Sequence, residues 1–404
     1  MIKELFTETT RTMKSSMIRE LVASTRNIKG LISFAGGFPA PQTFPVETLS
    51  KLYAETIANE SSFVLQYGAS EGDPMLKEEL LKWEGYDDIT PDQLLITAGA
   101  TNAIYYMSLA LVEPGDVIIC EAPSFLGSLV AFEALGADIQ CVPLDQEGLD
   151  VVALQNKVEE LQKAGKKIKY IYTIPDFHNP TGVTMSLKRR KELIEFALAA
   201  RIPILEDNPY SRLRFRGEAV PTLFRIAHDE YANTDIVTEV VSFSKILGPG
   251  LRLAFVKGNK DLIERMCSWQ QKVNIAPDNV SQRVTAHFLN RGYMDDHLKM
   301  CNDHYRPYLD KMLEATSKYL PPYIQYTKPE GGLFTWLWLP QTMSGDALFE
   351  QAKEYKVSFI PGSKFYPTNQ EKFNSLRLNF SFSTFEQIEQ GMKSLGTIME
   401  EFKA

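Results

Sequence analysis

The chain has no apolar run long enough to span a bilayer, which takes roughly 18 or more residues in succession. Its 404 residues are 44% hydrophobic, an ordinary share for a globular protein. There is no Lys/Arg-rich block and the net charge is −8, so nucleic acid is not an expected partner. The opening MIKELFTETTRTMKSS lacks the apolar core and cleavage site of a secretory leader. Histidine is scarce: the five residues His178, His228, His287, His297 and His304 show no pairing that suggests a zinc site. The four cysteines, Cys120, Cys141, Cys267 and Cys301, stand far apart and form no metal spacing. They read as buried free thiols of a cytoplasmic protein. Repeats and low-complexity segments are also missing. What remains is a chain long enough for a large core and two domains.

From about residue 93 to 256, strand-like and helix-like runs alternate. The strand candidates are LLIT (94–97), DVIIC (116–120), KYIYTIP (169–175), IPILED (202–207) and EVVSFS (239–244). Helical runs such as TNAIYYMSLALV (101–112) and LKRRKELIEFALAA (187–200) lie between them. In the latter, Leu193, Ile194, Ala197 and Leu198 form one apolar stripe. Apolar strands separated by helices predict an α/β unit, a mainly parallel sheet covered on both faces.

The later chain follows another pattern. HYRPYLDKMLEATSKYL (304–320) puts Tyr305, Tyr308, Leu309, Met312 and Leu313 on one helix face. LFTWLWL (333–339), VSFIPG (357–362) and SLRLNFS (375–381) read as strands. A last helix starts at a capping box of Ser383 with Glu386. The expected division is an arm of residues 1–45 that joins the small domain and lids the site, a large domain of 46–295, and a small α+β domain of 296–404.

In an open α/β sheet, ligands collect at the carboxyl ends of the strands. The informative residue types fall there one after another. The first strand is followed by Gly99-Ala100-Thr101 at a helix start, where free N–H groups and the helix dipole suit a phosphate, although a plain strand–helix turn has the same look. The second is followed by Phe125, which can stack on a planar ring or simply be core. The third leads to HNPTG (178–182), where Asn179 is held extended by Pro180 and can hydrogen-bond a phenolic oxygen, or merely form an Asn-Pro turn. The fourth ends in EDNPY (206–210). Asp207 there needs a cationic partner, such as a protonated pyridine nitrogen, unless it caps a helix. Tyr210 follows three residues on. The fifth delivers Lys245 in SFSK, ahead of a Pro-Gly turn and Arg252. A primary amine there can condense with an aldehyde, and Ser242, Ser244 and Arg252 are phosphate-holding types. An amine beside an oxyanion cradle describes a pyridoxal phosphate site.

With these motifs the chain resembles the fold-type-I, class I/II aminotransferases, and within them the 2-aminoadipate and kynurenine/aminoadipate branch. The resemblance runs through MIRELV (17–22), ISFAGGFPAPQTFP (32–45), LQYGASEGDPML (65–76), ITAGATNA (96–103), IPDFHNPTGVTM (174–185), the SFSK window, KPEGGLFTWLWLP (328–340) and LRLNFS (376–381). It implies a seven-stranded-type sheet in the large domain and a homodimer with shared sites. It implies that Asp207 pairs with the pyridine nitrogen, that Asn179 and Tyr210 hold the cofactor's O3′, and that Phe125 stacks on the ring where relatives usually carry Tyr. Ala100, Thr101, Ser242, Ser244 and Arg252 then cradle the phosphate, and Tyr67 reaches the neighbouring subunit's phosphate site. Arg377 takes the substrate α-carboxylate, Asn179 stands beside it, and Gly37 lets substrate approach the backbone. Arg19 matches an arginine that contacts the substrate side chain in the 2-aminoadipate relatives, although a solvent-exposed helix arginine reads the same way. One departure stands out: relatives commonly show GSQ where this chain has Gly99-Ala100-Thr101, so one hydroxyl contact to the phosphate is in doubt.

The implied activity is transfer of an amino group from an L-amino acid (2-aminoadipate, aromatic or branched aliphatic) to 2-oxoglutarate, in a ping-pong cycle with no metal. Lys245 would move the proton, and Arg377 would grip the carboxylate with two parallel hydrogen bonds. Two other classes fit the same lysine and aspartate: another fold-type-I enzyme such as a β-lyase or acyl-transferring synthase, and a cofactor-binding regulator. A regulator would carry a winged-helix domain, and only about 31 residues precede ISFAGG.

Overall fold

The apolar runs do become strands, and most of them are buried on both faces. The computed structural model describes residues 2–7, 10–11, 25, 28–231, 234–368, 370 and 372–402. In chain order the strands are β1 (Ile32–Ser33), β2 (Leu94–Thr97), β3 (Val117–Ala122), β4 (Asp138–Asp145), β5 (Gly148–Leu149), β6 (Ile168–Thr173), β7 (Ile204–Asn208), β8 (Val237–Ser242), β9 (Ala254–Lys257), β10 (Gln325–Tyr326), β11 (Phe334–Trp338), β12 (Val357–Ser358), β13 (Ile360–Pro361) and β14 (Ser375–Asn379). The large sheet runs β2-β9-β8-β7-β6-β3-β4-β5. Its centre, from β4 through β3, β6 and β7 to β8, is parallel, and β9 is antiparallel to both β8 and β2. The expected seven strands are thus joined by an eighth, the two-residue β5, on the edge. Strand β4 was not legible because DIQCVPLD mixes polar and apolar residues, as an edge-side strand does.

The helix Leu187–Ala200 begins and ends where its sequence puts it, because Ser186 accepts a hydrogen bond from the Arg189 N–H and Arg201 closes it in a left-handed turn. Leu193, Ile194 and Ala197 of its stripe are buried against the sheet.

The second sheet is antiparallel, in the order β10-β11-β14-β13. Residues from near both ends of the chain meet beside it. Strand β1 pairs with β12, the Phe34 N–H donates to the Ser358 carbonyl at 2.7 Å, and the Asn379 N–H donates to the Phe34 carbonyl at 2.9 Å. The long helix Tyr293–Tyr319 and the last helix, Phe385–Glu401, pack on this unit.

Two expectations are corrected. VSFIPG is two strands rather than one, because the chain leaves β1 after Ser358 and joins β14 at Ile360. The last helix is capped by Thr384 with Gln387, one residue later than Ser383 with Glu386. Both pairs have the capping-box spacing, but Ser383 is buried and its hydroxyl turns to the Ser33 carbonyl at 3.5 Å. Cys120 and Cys141, distant in sequence, sit in register on β3 and β4 with their sulfurs 3.7 Å apart and unbonded. Among the described residues no helix is long and apolar enough to cross a membrane, and no cluster of three or more metal-ligating side chains occurs.

Candidate active site

Side chains alternate across a strand, so neighbours on β7 face opposite layers. Leu205 is in register with Tyr172 of β6, and Asp207, two residues on, shares their face. There the Tyr172 hydroxyl donates to Asp207 Oδ2 at 2.7 Å. The other oxygen, Oδ1, is buried with no hydrogen-bond partner. Burial pushes the Asp207 carboxyl up to about 6; the Tyr172 hydrogen bond opposes this, and the nearby Glu121 adds to it. A buried carboxylate oxygen left open is costly unless a donor arrives.

Lys245 lies in the turn just past β8, and its Nζ donates to the Gly37 carbonyl at 2.8 Å. Among the described residues it has no carboxylate in ion-pair range. Burial, then the positive charges of Arg377 and Arg252, draw its ammonium down to about 8. The lowering increases the neutral fraction at neutral pH, which a nucleophilic amine requires.

Arg377 lies mid-strand on β14 and is buried. Its Nη1 donates to Asn179 Oδ1 at 2.9 Å, its Nη2 to the Ala35 carbonyl at 2.8 Å, and its Nε has no partner. The guanidinium stacks over Phe334, 4.2 Å from the ring centre. No described carboxylate pairs with it, so a buried cation stands with a donor to spare, and burial lowers it to about 10. Asn179 joins this cation to the large sheet: its Nδ2 donates to the Tyr210 hydroxyl at 3.4 Å, and the Tyr210 ring meets Phe334 edge-on at 5.8 Å. Gly37 is needed for closeness, since a Cβ there would stand 3.2 Å from the Phe334 ring and 4.0 Å from Arg377 Nη2.

The other end of the site gathers N–H donors and positive charge. Gly99, at φ +93°, precedes the helix Ala100–Leu111, and a Cβ on it would lie 2.5 Å from Arg252 Nη2. The guanidinium therefore rests against the helix start, where the first N–H groups have no carbonyl ahead of them and the dipole is positive. Ala100 and Thr101 supply those first groups. Ser242 ends β8 and its hydroxyl accepts from the Ser244 N–H at 3.2 Å. Phe125 is the N-cap residue of the helix Leu126–Ala134, and its ring lies across Gly127, where a Cβ would come within 2.6 Å of it.

Two candidates stand apart. Tyr67 is 82% exposed and lines a different cavity of about 470 Å³ with Leu65, Gln66 and residues 274–279. Arg19 lies outside the described residues. Sequence reasoning also missed four buried groups: Tyr172, Ser128, Glu121 and His178. Ser128 donates to the Tyr172 hydroxyl at 2.8 Å. Glu121 accepts from the Thr173 hydroxyl at 2.6 Å and the Ile174 N–H at 3.1 Å. His178 Nε2 stands 3.1 Å from Glu121 Oε2, and its Nδ1 is 2.9 Å from the Thr181 hydroxyl. The available signal for Tyr172 was its place in the buried half of β6, since a buried phenol needs a partner.

Residues 35–395 match the family described as Aminotransferase class I and II. This chain belongs to that family. Aromatic-amino-acid aminotransferase 1 of Thermococcus litoralis is 38% identical to it, over 99% of this chain and 95% of the relative. The 2-aminoadipate transaminase of Thermus thermophilus is 32% identical, over 96% of this chain and 94% of the relative. The crystal structure of Pyrococcus horikoshii kynurenine aminotransferase, solved with PMP, superposes with a TM-score of 0.94 at 35% identity, covering 100% of this chain and 99% of that one.

The aminotransferase uses pyridoxal 5′-phosphate, which supplies an electron sink for bonds broken at the substrate's α-carbon. The open atoms fit it. Asp207 Oδ1 would hold a protonated ring nitrogen, and Asn179 and Tyr210 would flank the phenolic oxygen. Phe125 would cover the ring face, and Arg252 with the helix start would hold the phosphate. Lys245 would carry the aldehyde carbon, and Arg377 would remain for a carboxylate.

Proposed function

We propose that this aminotransferase takes its amino group from L-amino acids of broad side-chain type, namely 2-aminoadipate, aromatic and branched aliphatic, and passes it to 2-oxoglutarate in a ping-pong cycle. The observation that carries the reading is a pair of buried cations with no carboxylate among the described residues, Arg377 with a free Nε and Lys245 with a lowered ammonium, which donate to neighbouring carbonyls of one segment, Ala35 and Gly37. Arg377 binds the α-carboxylate shared by every donor and acceptor. Lys245 Nζ, once released, takes the α-proton and returns it on the other side of the exchange. The named activities of the relatives support donors of acidic and aromatic type. In this reading residues 1–45 form an arm that joins the small domain and lids the site, with 46–295 and 296–404 as the large and small domains. Arg19, which lies outside the described residues, is assigned to a distal carboxylate of acidic donors in this reading.

The same reading makes the enzyme a homodimer in which Tyr67 serves the partner's phosphate site, consistent with its exposure here. Half-reactions of the loaded enzyme with a panel of amino acids, followed by cofactor absorbance, test the donor range. Conversion of only one side-chain class would overturn it. Mixing Tyr67→Phe with Lys245→Ala subunits should give hybrids with one intact site, and a fully active monomer in sedimentation would overturn the shared-site reading.

A further inference from the structure

Asp207 offers two oxygens, but only one is open, and the reason lies in a chain of side chains outside the expected site. Tyr170 and Tyr172 alternate onto the same face of β6, under the helix Leu126–Ala134. Phe132 of that helix meets both rings edge-on, at 6.0 and 5.4 Å. One turn earlier on the helix, Ser128 donates to the Tyr172 hydroxyl at 2.8 Å. Its single proton spoken for in this way, Ser128 leaves the Tyr172 proton one acceptor, Asp207 Oδ2 at 2.7 Å. The phenol is thus satisfied in both directions and clamped by packing. The Asp207 carboxylate cannot turn without breaking this bond inside the core, where a broken hydrogen bond to a charged group is expensive. Burial holds the phenol protonated, well above its ordinary range, so the donor is permanent. The chain begins three residues after Phe125, so one rigid segment sets both the ring-covering aromatic and the carboxylate below it.

We propose that Tyr172, directed by Ser128, is a positioning residue of this aminotransferase: it holds Asp207 Oδ2 so that Oδ1 is the oxygen presented to the cofactor's ring nitrogen. The role belongs to the protein's own hydrogen bonds and is set before any cofactor binds.

The test uses holoenzyme loaded with cofactor labelled with ¹⁵N in the ring, read by NMR at one fixed pH, together with cofactor affinity by fluorescence titration. Tyr172→Phe keeps the ring that packs on Phe132 and deletes only the hydroxyl. It should move the ring-nitrogen resonance toward the neutral-pyridine position and weaken cofactor binding about tenfold. Ser128→Ala should move the resonance the same way by less, because the phenol keeps its bond to Asp207 but loses its enforced direction. A packing role alone would change thermal stability and leave the nitrogen resonance where it is. Wild-type nitrogen resonances in both variants would overturn the proposal. If Tyr172→Phe does not fold, Ser128→Ala decides it: a shifted resonance supports the proposal and an unshifted one defeats it.

Discussion

Two groups of buried charge share the same central strands but face opposite layers, and they are built on opposite principles. On one face, Glu206 of β7, Glu239 of β8 and Lys257 of β9 stand in register in a single row. Lys257 Nζ is 2.9 Å from Glu239 Oε2 and also pairs with Glu84, whose other oxygen is 2.6 Å from Arg212 Nη2. Both oxygens of Glu206 accept N–H groups from the start of the helix Leu223–Glu230, at 2.9 and 2.8 Å. Glu239 Oε1 accepts from the Asn208 amide at 2.7 Å. On the other face Asp207 has an oxygen with no partner, and beyond it Lys245 and Arg377 have no carboxylate among the described residues. The titration directions differ accordingly. Burial would raise Glu84 and lower Lys257, but their mutual attraction wins, carrying Glu84 down to about 2 and Lys257 up. Lys245 and Arg377, without such partners, follow burial and move down. In the first group Lys257, Glu84 and Glu239 have found their counter-charges, while Glu206 is held by N–H groups alone and is pushed up to about 8 by burial and the charge of Glu239. The second, in the proposed reading, is a site whose counter-charges arrive with cofactor and substrate.

The comparison breaks most sharply at the two lysines. Lys245→Ala should abolish turnover by about 10³-fold or more, and borohydride should no longer attach the cofactor to the protein. Urea denaturation of the cofactor-free protein should show no loss of stability, because an unpaired buried amine is removed. Covalent attachment persisting in that variant would defeat the assignment of Lys245.

Lys257→Met should do the reverse. It leaves Glu84 and Glu239 buried without their cation and should lower stability by about 3–5 kcal/mol, read by the same denaturation. Turnover per folded molecule should stay near wild type. A catalytic loss exceeding the folding loss would mean the two faces are coupled through β7.

Arg377→Lys separates charge from geometry. The ammonium keeps the sign but cannot present two parallel donors, so KM for amino acids should rise on the order of tenfold with a smaller change in kcat. An unchanged KM would show that Arg377 holds Asn179 and the Ala35 backbone rather than substrate.

The smallest effect is a pH slope. Folded, cofactor-free Asp207 titrates near 6 against 3.8 when exposed, so between those values the folded state holds a proton the unfolded state has lost. Its contribution to stability is therefore fully present below about 3.8 and falls as pH rises to about 6. Asp207→Asn should remove that part of the slope. Loading wild-type protein with cofactor should remove it too, because pairing with a ring cation lowers the carboxyl. A slope unchanged by loading would mean that Oδ1 does not meet the ring nitrogen.

Much of this was readable from local pattern. Strand-end positions announced Asp207, Lys245, Asn179 and the Gly99 turn, because apolar runs of strand length end at definite residues and polar residues there must serve something. The helix Leu187–Ala200 was readable for the same reason, with a serine cap and a clear stripe. Three-residue spacing failed at Ser383 and Thr384, since two overlapping capping boxes were equally good until burial chose one. Strand β4 and the division of VSFIPG also escaped, because each depends on a pairing partner far away in the chain.

The sequence by itself determined the apolar central strands, the long helices and the chemical groups at their ends, because periodicity, caps and turn residues act over a few residues. Only the tertiary structure decided which of these groups would be satisfied. The register of β6 on β7 brings Tyr172 to Asp207, and the helix above brings Ser128 to Tyr172. A separate register puts Lys257 opposite Glu239 rather than beside Lys245. Whether a buried charge becomes a brace or an open site depends on contacts between distant residues, such as the 35 of chain between Tyr172 and Asp207, the 198 between Asn179 and Arg377 and the 342 between Ala35 and Arg377. Local preferences carry no information about them, because they are set by how layers pack and strands align.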